Sequence, residues 1–154
     1  MTDRAATRTF LSLGSNLGDR RAYLRQAVDT LPDVVAVSSV YETDPVGGPE
    51  QGPYLNLVVE LCTTLEPKQL LALCHRIEAI ANRARGERWG PRTLDLDIIW
   101  MDGVTVDDDQ LTIPHPRWKD RRFVLQPMME LAPDLINEDD VRLADGTIRA
   151  AGSL

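Results

Sequence analysis

Apolar residues follow two different periods along the chain, and the change of period divides it into predicted strands and helices. Phe10 to Leu13 is a short apolar run before a glycine-rich turn, which predicts a strand. Asp19 can then cap a helix in which apolar residues recur every three or four positions until Pro32 ends it. Val34 to Tyr41 is apolar and rich in β-branched residues, so it predicts a second strand.

The following segments repeat this order. Leucines and polar residues alternate from Tyr54 to Thr63, which predicts a third strand with a leucine face and with Asn56 on the opposite face. Pro67 suits the first turn of a second helix, and Gly86 ends that helix. Thr93 to Ile99 alternates again and predicts a fourth strand.

The order strand, helix, strand, strand, helix, strand is typical of the ferredoxin-like fold. We therefore expect an α+β fold with a ferredoxin-like βαββαβ core, in which an antiparallel sheet carries helices on one face and leaves the other face for chemistry. C-terminal additions follow this core; Pro127 to Ala132 predicts a helix there, and the remaining tail has no chemical motif. The 154 residues suffice for one domain with a real core, so we expect a single domain, 1–154.

Composition and charge restrict the functional classes. Hydrophobic residues make up 43% and charged residues 27%, which is ordinary for a globular protein. The net charge of −7 argues against a general nucleic-acid surface. The first apolar run, 10–13, is too short for a signal peptide or a membrane span, so we expect a cytoplasmic protein without membrane association. Cys62 and Cys74 have no ligand-like spacing, and we expect both to be small core residues.

Two aspartates are the first candidates for chemistry. In the fourth strand, Asp95 and Asp97 point to one face and their apolar neighbours point to the other. Two carboxylates about 7 Å apart repel each other unless a cation lies between them, and Mg²⁺ is the expected cation because no histidine or thiolate cluster is present. The alternative is a solvated outer face of an edge strand, and it stays open on these residues alone.

Basic residues are concentrated in two short segments, although the chain is acidic overall. Four lie in residues 83–92 and four in residues 117–122, which together hold eight of the 17 basic residues. A local basic site in an acidic protein suits a small polyanion better than a long one. A long loop rich in glycine and proline, 43–53, is also expected to be functional.

The motifs together resemble the 6-hydroxymethyl-7,8-dihydropterin pyrophosphokinase family, from Phe10 to about Asp134. The segments that carry the resemblance are Leu13–Asp19, Tyr41–Gly47, Tyr54–Asn56, Arg88–Ile99, Pro114–Pro116 and Arg121–Phe123. The resemblance implies transfer of the terminal pyrophosphoryl group of ATP to the hydroxymethyl oxygen of the dihydropterin, with release of AMP, in folate biosynthesis. It also implies two Mg²⁺ ions, ATP as co-substrate and a monomeric enzyme.

The same resemblance implies roles for individual residues. Catalytic roles fall to Arg83, Arg92, Asp95 and Asp97, of which the two aspartates also bind the metal. Nucleotide binding is expected of His75, Glu78, Arg85, Arg88, Trp89, Ile98, Thr112, His115 and Arg121. Pterin binding is expected of Thr43, Val46, Gly47, Tyr54, Asn56 and Phe123, with the ring stacked between Tyr54 and Phe123. No general base is expected.

Four alternatives accompany this interpretation. Tyr54 and Phe123 taken alone read as ordinary core residues, and Asn56 as an edge residue hydrogen-bonded to a neighbouring loop. Asp-x-Asp also serves metal-dependent nucleotide-sugar transferases, for which 154 residues leave little room. A ferredoxin-like RNA-binding or regulatory module would need aromatic strands and a basic surface, whereas 5% of residues are aromatic. Asn82, His75 and Arg122 depart from the family pattern.

Overall fold

The computed structural model describes residues 5–44, 52–83 and 94–154. The first part of the chain holds β1 Thr7–Ser15, α1 Arg20–Thr30, β2 Val34–Val37, β3 Tyr41–Thr43, β4 Tyr54–Thr63, α2 Pro67–Arg83 and β5 Asp95–Met101. The second part holds β6 Val106–Asp107, β7 Thr112–Ile113, a 3₁₀ turn Trp118–Asp120, α3 Arg122–Leu131, α4 Glu138–Leu143 and β8 Arg149–Ala150. The predicted order of core elements is confirmed.

The main sheet is antiparallel, with strand order β5-β1-β4-β3-β8, and β2 pairs with β4 beside this path. One sheet face carries Leu11, Leu13 and Leu57 in a core shared with α1 and α2. Asp19 accepts a hydrogen bond from the Ala22 N–H at 3.1 Å, so the predicted cap of α1 is confirmed. These features confirm the ferredoxin-like α+β class.

The opposite sheet face is partly covered, which corrects the expectation of a face free of helices. Val124, Leu125 and Met128 of α3 form a second core with Phe10 and Val58 of the sheet. Helix α3 begins at Arg122 and includes Pro127 in its interior, whereas the sequence predicted Pro127 as its start. The apolar stripe that α3 buries outweighs the hydrogen bond that proline removes. The polar half of this face remains open beside α3.

The second predicted strand, 34–41, is interrupted between Val37 and Tyr41. Ser38 makes two hydrogen bonds with Val58. The Ser38 N–H donates to the Val58 carbonyl, and the Ser38 hydroxyl accepts from the Val58 N–H, both at 2.9 Å. The Ser39 N–H then donates to Glu130 of α3 at 2.8 Å. Partners distant in sequence therefore redirect a strand that local propensity predicts as continuous.

The two cysteines differ in environment. Cys74 is buried, as predicted, and burial raises the pKa of its thiol to about 12. Cys62 is exposed, so its expected core position is wrong: it lies across from Arg8, on the same side of β4 as Val58 and near the strand end. No helix in the described ranges is long and apolar enough to cross a membrane.

Candidate active site

Three adjacent strands build the floor of the site. Gly14 of β1 lies between Asn56 of β4 and Asp95 of β5 in the sheet register. In the next row, Ser12 lies between Val58 and Asp97. Adjacent strands are roughly 4.8 Å apart. The Asn56 amide and the Asp95 carboxylate lie in the same row, on either side of Gly14, so they are about two strand spacings apart. Gly14 has no side chain, so nothing projects into the space between these two groups.

Close approach explains why a glycine occupies position 14. A Cβ atom added there would lie 2.8 Å from Asn56 Oδ1 and 3.6 Å from Tyr54 Cδ1. Asn56 is 4% exposed, and its Nδ2 donates to Thr43 Oγ1 at 2.6 Å. The Asn56 amide is thus buried and fixed by β3, so the alternative of an edge-exposed residue is wrong.

A cavity of about 370 Å³ lies above this floor. Its described lining residues are Ser12, Gly14, Thr43, Asp44, Tyr54, Asn56, Asp95, Asp97, Arg117, Asp120, Arg121, Phe123 and Asp145. Four predicted pterin residues and both predicted metal ligands therefore meet in one place. Tyr54 and Phe123 are half-buried and line the cavity, and Phe123 also packs against the second core. The Arg121 guanidinium lies 5.6 Å from the centre of the Phe123 ring.

A second cavity, of about 320 Å³, lies between α2, β5 and residues 108–116. Five of the residues predicted to bind the nucleotide line it: His75, Glu78, Ile98, Thr112 and His115. Arg121 was grouped with them, but the structure places it in the wall of the first cavity. Asp97 lines both cavities, so it lies at their junction.

Some residues of the predicted site fall in stretches that the structure does not describe. Val46, Gly47, Arg85, Arg88, Trp89 and Arg92 lie outside the described residues, as do much of the predicted loop 43–53 and the start of the predicted strand at Thr93. Arg83 is the last residue of α2, and its side chain is outside the described part.

Glu78 has a structural contact that the sequence did not indicate. Its Oε2 accepts a hydrogen bond from the Leu96 backbone N–H at 2.8 Å. Leu96 stands between Asp95 and Asp97 on β5, which is the last strand on its side of the described sheet. An edge strand has backbone donors without sheet partners, and Glu78 satisfies one of them. The α2 carboxylate therefore fixes the strand that carries the aspartate pair.

His115 is fixed through its backbone and its ring. Its N–H donates to the Ile99 carbonyl at 2.8 Å, and its Nδ1 accepts from the Arg117 N–H at 3.2 Å. Burial lowers the pKa of His115; Asp97 opposes this effect, and Arg121 and Arg117 add to it. The neutral imidazole, with its proton on Nε2, is the favoured form at neutral pH.

Acidic residues outnumber basic ones in the described lining of the first cavity. Asp44, Asp95, Asp97, Asp120 and Asp145 face two guanidinium groups, those of Arg117 and Arg121. Asp120 and Asp145 were missed because no motif or spacing marks them, and only the tertiary fold brings them here.

The donor set suits Mg²⁺. The described ranges contain no group of three or more His, Cys, Asp or Glu side chains able to hold an ion. Mg²⁺ usually takes one or two protein carboxylates and completes its shell with water and substrate phosphates. Asp95 and Asp97, on one strand face beside a cavity, provide such an incomplete site.

Comparisons with known proteins find a matching family model and relatives of similar sequence. The family model described as 7,8-dihydro-6-hydroxymethylpterin-pyrophosphokinase (HPPK) matches residues 10–133. A 2-amino-4-hydroxy-6-hydroxymethyldihydropteridine pyrophosphokinase from Bacillus subtilis is 47% identical over 134 residues, covering 84% of this chain and 80% of the relative. A relative of the same name from Methylorubrum extorquens is 44% identical over 135 residues, covering 84% and 85%.

A solved structure is similar in fold. It is an HPPK-DHPS in complex with substrates, with a TM-score of 0.65 and 13% sequence identity. The alignment covers 84% of this chain, and the chain spans 40% of the length of that structure.

Proposed function

The chain belongs to the 7,8-dihydro-6-hydroxymethylpterin-pyrophosphokinase family, and from this premise we propose how its residues divide the work of the reaction. The enzyme transfers pyrophosphate from ATP to the hydroxymethyl group of 6-hydroxymethyl-7,8-dihydropterin, which gives AMP and the pterin diphosphate in folate biosynthesis. The observation that carries the assignment of residues is that Asp97 lines both cavities. A reaction between two bound substrates needs a place where their sites meet.

The first cavity is the proposed pterin site. A flat heterocycle with polar edges fits between Tyr54 and Phe123, and the buried Asn56 amide offers both a donor and an acceptor to its edge. The Thr43 hydroxyl accepts a hydrogen bond from Asn56 Nδ2 and so fixes the plane of that amide. Gly14 leaves space for the ring beside it. Val46 and Gly47 remain proposed contributors on the resemblance of their motif.

The second cavity is the proposed nucleotide site. His75, Glu78, Ile98, Thr112 and His115 line it, so these five residues of the motif set are available to one ligand. The neutral His115 ring can donate from Nε2 to a phosphate or a ribose oxygen. Arg85, Arg88 and Trp89 are proposed as further nucleotide contacts on the family motif alone. Arg121 would act from the first cavity, toward the phosphates.

Asp95 and Asp97 are the proposed ligands that would hold two Mg²⁺ ions. Bound Mg²⁺ would neutralise the phosphate oxygens and favour ionisation of the substrate hydroxyl. The chain itself supplies position: β5 presents Asp95 to the first cavity and Asp97 to the junction of the two cavities, and Glu78 holds that strand in place. Arg83 and Arg92 are proposed to stabilise charge on the transferred group. No residue is proposed as a general base.

We also propose that the chain works as one domain, as a monomer and in the cytoplasm. Both cysteines are free thiols, which agrees with a reducing compartment.

The test is product analysis with purified protein, ATP, Mg²⁺ and the hydroxymethyl dihydropterin. The expected products are AMP and pterin diphosphate in equal amounts. Formation of ADP, or no pterin-dependent turnover by folded protein, would contradict the activity. Asn56→Ala should weaken binding of the pterin by about tenfold and leave the affinity for an unreactive ATP analogue unchanged, whereas His115→Ala should do the reverse. Equal effects on both ligands would contradict the division of the two sites.

A further inference from the structure

Residues 144–152, called here the C-terminal strap, connect two walls of the first cavity. They lie beyond residues 10–133, the part that matches the family model. At one end of the strap, the Asp145 N–H donates to the Asp120 carbonyl at 2.8 Å, and the Asp145 carbonyl accepts from the Arg122 N–H at 2.9 Å. This end therefore joins the segment that leads into Phe123.

The other end of the strap joins the wall that carries Thr43. Strand β8 pairs with β3 in antiparallel register. The Val40 N–H donates to the Gly152 carbonyl at 2.7 Å, and the Ala151 N–H donates to the Val40 carbonyl at 2.8 Å. Arg21 of α1 also donates to the carbonyls of Ala151 and Ser153. The strap is thus fixed to both the sheet edge and the first helix.

Two strap side chains converge on one carboxylate of the cavity lining. Arg149 Nη2 contacts Asp44 Oδ1 and Glu42 Oε1, each at 3.1 Å. Thr147 Oγ1 donates to Asp44 Oδ2 at 2.8 Å. These contacts lower the pKa of Asp44, with Arg149 as the largest cause. Asp44 lines the cavity, but neither Arg149 nor Thr147 is among the described lining residues.

The contacts continue to the start of β4, in the same wall of the cavity. Glu42 also pairs with Arg20 Nη1 at 3.5 Å, and Arg20 Nη1 donates to the Pro53 carbonyl at 2.9 Å. Pro53 directly precedes Tyr54 in the sequence. One chain of polar contacts therefore reaches from Arg149 to residues adjacent to Thr43 and Tyr54.

We propose that Arg149 and Thr147 are positioning residues of the pterin site. This inference rests on the proposed function of the first cavity. Both residues act through Asp44, which fixes the end of β3 and hence the Thr43 hydroxyl that holds the Asn56 amide. Isolated surface ion pairs contribute little, and Arg149 is 47% exposed. What distinguishes this site is that two donors meet on one carboxylate beside a cavity, and that one guanidinium bridges two carboxylates.

The experiment compares equilibrium affinities for the dihydropterin and for an unreactive ATP analogue in four variants of the full chain. Arg149→Ala should weaken pterin binding about three- to fivefold, and Thr147→Val about twofold, with ATP-analogue affinity unchanged. Arg149→Lys keeps the positive charge but loses the planar guanidinium that contacts two carboxylates. Its pterin affinity should lie between those of wild type and Arg149→Ala. Arg142→Ala is the matched control, because Arg142 is an exposed arginine whose ion pair with Asp139 lies outside the cavity. It should change neither affinity.

Salt gives a second readout, because it screens an electrostatic contribution of Arg149 and leaves its packing unchanged. At about 1 M salt, exposed charge pairs are screened, so the wild-type pterin affinity should approach that of Arg149→Ala. Unchanged pterin affinity in Arg149→Ala and Thr147→Val, or equal weakening of both ligands, would overturn the proposal. If Arg149→Ala does not fold, the result for Thr147→Val decides. If Asn56→Ala also leaves pterin affinity unchanged, the assignment of the cavity has failed instead of the positioning role.

Discussion

Replacing Gly14 with alanine tests whether the floor of the pterin site depends on one close approach between strands. The added Cβ would lie 2.8 Å from Asn56 Oδ1, closer than such atoms pack. A flexible, exposed side chain would move aside at little cost. Asn56 is 4% exposed and bonded to Thr43 at 2.6 Å, so it can move only by giving up that bond and disturbing its packing.

The expected cost follows from these two terms. Loss of the Asn56–Thr43 hydrogen bond contributes about 0.5–1.5 kcal/mol, and overpacking a filled site costs about 1–3 kcal/mol. Replacing a glycine in a strand with alanine raises the free energy of unfolding by about 0.5–1 kcal/mol. The free energy of unfolding should therefore fall by roughly 0.5–4 kcal/mol. Pterin affinity should fall about 5- to 30-fold, because a displaced amide loses one or two hydrogen bonds to the ring. ATP-analogue affinity should not change.

The assay is urea unfolding of a double-mutant cycle with Asn56→Ala. In the Asn56→Ala background no Oδ1 is present, so the Gly14→Ala change should cost close to nothing or even stabilise the protein. The coupling free energy between the two positions should then be about 0.5–4 kcal/mol, the full cost of Gly14→Ala in the wild-type background. Equal costs of Gly14→Ala in both backgrounds would refute the reasoning, and so would a Gly14→Ala variant that binds pterin as the wild type does.

Three further changes test other contacts of the fold. Glu78→Ala should lower the free energy of unfolding by about 1–2 kcal/mol, because the Leu96 N–H loses its partner, whereas Glu78→Gln should retain most of that stability in urea unfolding. Arg122→Ala should cost about 1 kcal/mol, because Arg122 donates to two carbonyls at the end of α4; turnover measured in parallel should change less than about twofold. The Arg8 guanidinium lowers the pKa of Asp134, so its stabilisation is present above about pH 4 and is lost as pH falls through the lowered pKa. Urea unfolding of Arg8→Ala should accordingly depend less steeply on pH below 4, and an identical slope would contradict this linkage.

The sequence predicted those parts of the fold that are set by local pattern. Leu96 and Ile98 are buried and Asp97 is exposed, because alternation on a strand with one apolar face leaves few other arrangements. The Asp19 cap was predicted for the same kind of reason, since the residue and the helix it caps are adjacent.

Features set by distant partners were not predictable. The break after Val37 depends on Glu130 of α3, which lies far along the chain, and on the strap at Gly152. Asp120 and Asp145 enter the cavity lining because a backbone hydrogen bond joins them, and no spacing in the sequence indicates that contact. The resemblance supplied most of the candidate residues, but it assigned Glu78 a ligand role and gave no sign of its bond to β5.

The assignment of Asp95 and Asp97 is the central claim, and single-turnover kinetics of Asp95→Asn and Asp97→Asn test it most directly. Asparagine keeps the shape of each side chain and removes its charge. At saturating ATP, Mg²⁺ and dihydropterin, each variant should form AMP at least about 10³-fold more slowly than wild type, while pterin affinity stays within about threefold. A near-normal rate in either variant at saturating Mg²⁺ would contradict the account.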